Sequence, residues 1–236
     1  MAIRKNEIFN ALSHLAGTIA SAVMTALFVV MGTGYDGGLA AAVAVTGASY
    51  TFLFASSFMH HATKTGEDGK GIWLALDHCA IFMMMAGSYV GPLFIFSPAG
   101  LRPVFLGGVA ACMVIGLLLK RRFMHAPNWV SAIIYAPLGL VSLVPMSVLW
   151  HVADGAPPHL VPLVFMKAML VLGLAMYGIG GVVYAVRRPD PMPGLFGFHG
   201  LFHVLVLAGA GMHGLALYLS LRAYPLIREC VYRVSG

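Results

Sequence analysis

Phe198-His199-Gly200-Leu201-Phe202-His203 opens an apolar run that continues to about Ser220, and how this run is read decides the fold. From 198 to 220 it contains no Asp, Glu, Lys or Arg. That is the length and character of a helix crossing the hydrocarbon core of a bilayer, about 30 Å thick. On such a helix His199 and His203 stand one turn apart on the same face, with about 5–6 Å between their Cβ atoms. Two imidazoles so placed can reach one metal ion.

The rest of the chain has the same character. Of its 236 residues, 60% are hydrophobic and 9% charged, against about 25% charged in an ordinary soluble domain. The apolar residues fall in long uninterrupted runs, and lipid-exposed backbone must satisfy its own hydrogen bonds, so the runs read as helices. Seven spans are expected, at 11–32, 39–61, 73–96, 103–119, 129–151, 161–186 and 198–220. They form one all-α integral membrane domain over residues 1–236, with breaks at Gly-, Pro- and charge-rich segments such as 34–38 and 187–194. The first run is too long for the core of a signal peptide and is expected to remain as a span.

Cys79, Cys112 and Cys230 form no Cys-x-x-Cys pair and no disulfide framework. The net charge of +6 comes from basic residues beside apolar runs, so it is read as anchoring to anionic lipid rather than binding to nucleic acid. Nine basic residues (Arg4, Lys5, Lys64, Lys70, Lys120, Arg121, Arg122, Arg187 and Arg188) fall on one side of the spans. Only Arg102, Arg222, Arg228 and Arg233 fall on the other. The bias places the N-terminus in the cytoplasm and, after seven crossings, the C-terminus outside. A bacterial inner membrane suits such a chain.

Asp77 is the one acidic residue well inside an apolar run, and an ionisable group within a span marks function by default. With the topology above, four side chains share one depth: His60 at the end of the second span, Asp77 near the start of the third, and His199 and His203 at the start of the seventh. Three imidazoles, His60, His199 and His203, suit Zn²⁺ and leave a fourth tetrahedral position for water. Asp77 is then expected as general base, and Ser56, one turn before His60, as a hydrogen-bonding partner of Asp77, the water or a substrate carbonyl. His61 is expected at the interface, pointing about 100° away from His60. His14 is expected to lie outside the site and His78 to pack or hydrogen-bond nearby, while His213 lies about 15 Å along the axis from His203.

At these residues the sequence resembles the hemolysin III branch of the progestin and AdipoQ receptor family, to which the adiponectin receptors are related. The resemblance begins at Glu7-Ile8-Phe9-Asn10-Ala11-Leu12-Ser13-His14 and continues through Ser56-x-x-x-His60, Leu76-Asp77-His78-Cys79-Ala80-Ile81 and Ala86-Gly87-Ser88-Tyr89. It ends at His199-x-Leu201-Phe202-His203. It implies seven helices with an inward N-terminus, and a zinc ion near the cytoplasmic face held by three histidines with a serine and an aspartate close by. Those roles fall on His60, His199, His203, Ser56 and Asp77. Gly200 stands where bacterial relatives often carry an acidic residue, and Ser88-Tyr89-Val90-Gly91-Pro92 interrupts the usual Thr-Tyr-Thr-Pro.

Two functions compete at the same residues. One is a zinc-dependent hydrolase of membrane lipid amides or esters, similar to the alkaline ceramidases. The other is a non-enzymatic sensor or regulator of lipid homeostasis with a structural zinc. A cytolysin or channel is disfavoured, because no row of polar residues runs through the spans. Membrane lipids are the expected surroundings and substrate, and no nucleic acid is expected.

Overall fold

The computed structural model describes residues 5–63, 71–141 and 161–235. The described residues form helices throughout: α1 (Lys5–Thr33), α2 (Gly37–Thr63), α3 (Ile72–Phe96), α4 (Arg102–Arg122), α5 (Asn128–Val141), α6 (Val161–Val186), α7 (Phe198–Arg222) and α8 (Tyr224–Ser235). Six of them, α1 to α4, α6 and α7, are long and apolar enough to cross a membrane, and α5 is a shorter apolar helix. The chain is thus an all-α, multi-pass integral membrane protein. The part of the fifth expected span from 142 to 151 lies outside the described residues.

Six of the expected spans sit where the apolar runs placed them, and α5 covers the first part of the fifth; the helices differ from the runs at α1 and after α7. α1 starts at Lys5, six residues before the apolar run at Ala11. Its polar opening belongs to the protein interior: Glu7, Asn10 and His14 are all buried. At the other end, the expected tail forms α8, which turns Ile227 and Val231 into a cluster with Phe28, Leu39, Phe96 and Leu221. The Tyr224 hydroxyl donates to Asp36 Oδ2 at 3.3 Å, while Asp36 Oδ1 accepts from the amides of Gly38 and Leu39 and so caps α2. α8 therefore closes the end of the bundle remote from His199.

Close approach fixes how the helices are rotated. Gly47 of α2 faces Thr25 of α1, and Gly87 of α3 faces Ser49 of α2, so closely that a Cβ at either glycine would fall inside the opposing side chain. Small residues at crossings allow such packing in membranes, where burial against lipid supplies no driving force. Pro92 in α3 has no N–H for the Ser88 carbonyl. Beside it, Thr46 Oγ1 donates to the Gly87 carbonyl at 2.8 Å and accepts from the Gly91 amide at 2.9 Å, bracing α3 against α2.

Lys120 corrects its sequence reading as an anchor in the headgroups. It is 1% exposed and its Nζ donates to Ser131 Oγ at 2.7 Å, joining α4 to α5. The Tyr89 hydroxyl donates to the Leu138 carbonyl at 2.7 Å and joins α3 to α5.

Candidate metal centre

The last turn of α2, the second turn of α3 and the first two turns of α7 meet at one end of the bundle, as their common depth required. Asp190 Oδ1 accepts from the Phe198 amide at 3.0 Å and so caps the start of α7. His199 and His203 follow on one face. The Phe196 ring meets Phe9 edge-on at 4.9 Å between centroids, holding the preceding loop against α1.

The imidazole that joins His199 and His203 is that of His61. The side-chain donors of these three residues lie within 4.8 Å of one another. His199 Nε2 is 3.3 Å from His61 Nε2 and 3.1 Å from His203 Nε2. His60 does not belong to this trio; it groups instead with His61 and Asp77. Ser56 and Ser57 differ in the same way. Both are buried, but the hydroxyl on the Asp77 side is that of Ser57. The structure therefore sets the Ser-x-x-x-His pattern one residue later than the sequence reading, at Ser57 and His61.

The donor set fits a metal. His199 Nε2, 3.3 Å from one ring nitrogen and 3.1 Å from another, cannot make a hydrogen bond with both of them, because a neutral ring nitrogen either donates or accepts. With metal–nitrogen distances of about 2.0–2.1 Å, the edge of a tetrahedron around zinc measures about 3.3–3.4 Å, close to these separations. His61 is prepared for such a role. Its Nδ1 contacts Glu7 Oε2, with both side chains buried. A carboxylate only accepts, so Nδ1 carries the hydrogen and Nε2 presents its lone pair. Carboxylates in this position orient a metal-binding imidazole and raise its basicity.

His14 also comes to the site. It is 3% exposed and stacks on His203, with 3.7 Å between ring centroids and 13° between planes. Neither of its ring nitrogens has a hydrogen-bond partner among the described residues. Its stacking fixes the orientation of the His203 ring.

His61, Glu7 and His14 are the residues that the sequence reading missed, although a signal existed for each. Ser57 and His61 have the same spacing as Ser56 and His60. Glu7, Asn10 and His14 follow i, i+3, i+7, the spacing of one helix face. The other histidines lie where expected: His78 Nδ1 donates to the Leu74 carbonyl at 3.0 Å, His213 is remote, and His125 is exposed. His151 and His159 fall outside the described residues.

Because Glu7 would reach the metal through His61, Glu7→Gln should weaken metal binding by about 10–100-fold without removing it, the usual effect of losing such a carboxylate. Competition with a chelator of known affinity measures it. An unchanged affinity would remove the carboxylate from the site's chemistry.

Comparison with known proteins agrees with this picture. The profile of the family described as Haemolysin-III related matches residues 2–214. The chain is 25% identical over 211 residues to a protein named Hemolysin-3 homolog of Bacillus subtilis, covering 87% of this chain and 90% of that one. It is 26% identical over 214 residues to Hemolysin-3 of Bacillus cereus, covering 88% of each. With Heptahelical transmembrane protein 1 of Arabidopsis thaliana it shares 28% identity over 235 residues, covering 92% of this chain and 70% of the relative. A match spanning the buried Glu7, the end of α2 and the His199–His203 pair identifies the chain as a member of the Haemolysin-III related family.

Proposed function

We propose that this protein binds one zinc ion between His61, His199 and His203, near the cytoplasmic face, and uses it to hydrolyse an amide or ester bond of a membrane lipid. The observation that carries this reading is the convergence of three imidazole nitrogens with a carboxylate beside them: His61 belongs both to the trio and to the group it forms with His60 and Asp77.

His61, His199 and His203 would hold the zinc ion, which would supply Lewis acidity there. The chain's own residues supply the rest. Glu7 holds the His61 tautomer, and His14 holds the His203 ring. Asp77 would take a proton from the attacking water, whose oxygen bonds to the carbonyl carbon, and return it to the nitrogen or oxygen that leaves, while Ser57 beside it would keep the carboxylate turned into the site. His60, 8% exposed, lies edge-on to His61 at 4.9 Å between centroids and extends the polar lining toward Asp77. The lipid class follows from location: a site at the ends of membrane-crossing helices meets bonds at the junction of headgroup and chain.

The test is purified protein of measured zinc content, reconstituted and offered a panel of ceramides and phospholipids. Release of fatty acid by wild type and not by His203→Ala is the expected result. No release from any member of the panel at full zinc occupancy would leave the site to a structural metal in a membrane regulator.

A further inference from the structure

The segment joining α6 to α7 carries a tip that neither the spans nor the metal chemistry uses. Met192, Pro193, Gly194 and Leu195 form a turn of the kind that Pro-Gly favours, with Gly194 at φ 82° and the Leu195 amide donating to the Met192 carbonyl at 3.0 Å. Met192 and Phe196 exchange backbone hydrogen bonds at 2.9 and 2.8 Å and close a small hairpin. Its foot is fixed, because Phe196 packs on Phe9 and Asp190 holds the Phe198 amide. Its tip is bare. Met192 is 50% and Leu195 49% exposed, with Pro193 exposed between them.

Both apolar side chains stand past the end of α6 at Val186, so the lipid contact of a crossing helix does not explain them. The level of the membrane surface can be read from their neighbours. Asn128, at the start of α5, donates to the Tyr184 carbonyl at 3.0 Å and accepts from Arg187 at 3.2 Å, which sets the start of α5 beside the end of α6. Trp129 and Phe123 are exposed there, and exposed aromatic rings at span ends mark the headgroup level. Arg121, Arg122, Arg187 and Arg188 are exposed at the same end. Asp190, the acid of this loop, already accepts from the Phe198 amide. Apolar side chains held outward by a closed turn, with arginines behind them, match an anionic leaflet: the acyl boundary takes the former and the lipid phosphates the latter.

We propose that the 192–196 hairpin inserts into the leaflet at this end of the bundle, the cytoplasmic one by the positive-inside bias, and gathers anionic phospholipid at the start of α7. The inference needs neither a bound metal nor hydrolysis.

The test uses the full chain in nanodiscs, with Trp73, Trp129 and Trp150 changed to Phe so that Leu195→Trp carries the one indole. Phospholipid brominated on its acyl chains near the headgroup should quench this indole, and acrylamide in the water should not. At equal mole fraction, brominated phosphatidylglycerol should quench it more than brominated phosphatidylcholine, and Arg188→Gln should shrink the difference. Met192→Trp in the same background repeats the measurement from the other side of the turn. Quenching by acrylamide and not by brominated lipid would overturn the proposal and leave the tip to a soluble protein partner. Equal quenching by the two brominated lipids would overturn it as well.

Discussion

His61→Ala is expected to empty the metal site, and His60→Ala to leave it filled. The two residues are adjacent, of one type and both buried, so neither bulk composition nor general polarity separates them. Only the rotation of α2 does. His61 Nε2 faces His199 Nε2 at 3.3 Å, whereas His60 lies on the Asp77 side. A structural zinc ion is held with roughly 10–16 kcal/mol, so each ligand accounts for about 3–4 kcal/mol, or 10²–10³ in affinity. Elemental analysis after dialysis against a weak chelator should find about one zinc per chain in wild type and His60→Ala, and almost none in His61→Ala or His203→Ala. Circular dichroism and size-exclusion profiles would show whether the emptied variants keep their helices. The reverse outcome, with zinc lost from His60→Ala and kept by His61→Ala, would return the register to the one read from sequence.

That one-residue ambiguity shows what the chain discloses unaided. The placement of six long helices is legible because bilayer thickness fixes their length and few charged residues enter them. The end of the bundle that carries chemistry is legible too, because Asp77 and His199 reach a common depth by counting residues from span ends. Helix rotation is not legible. Ser56 and His60 satisfy the same spacing as Ser57 and His61, and the choice falls to contacts between distant residues, such as Gly47 against Thr25 and Gly87 against Ser49. The same limit hid Glu7. A carboxylate six residues into the chain reads as headgroup-facing until His61 is known to wait for it. α8 is hidden differently. Its sequence is too polar to span, and its burial depends on the apolar end that α2, α3 and α7 leave open.

Asp77→Asn should separate the two functions that share the metal. Asparagine keeps the shape of the side chain and can still accept from Ser57, so the packing of α2 on α3 has no reason to change. It cannot take up a proton. If Asp77 moves protons during hydrolysis, kcat should fall by about 10²–10⁴, the usual contribution of general acid–base catalysis, while zinc content stays near that of wild type. Ser57→Ala should cost much less, because it removes a neighbour of the carboxylate and leaves the proton acceptor in place. Turnover and zinc would be measured on the same preparations, since only their divergence is informative. Zinc lost along with activity would make Asp77 a ligand, drawing the metal toward His60 and His61, whose donor atoms group with its carboxylate within 4.8 Å. If zinc and lipid turnover both survive the change, Asp77 carries no proton in the reaction. Its place beside two histidines would then be the electrostatic counterweight of a cation that only holds α2 and α7 together.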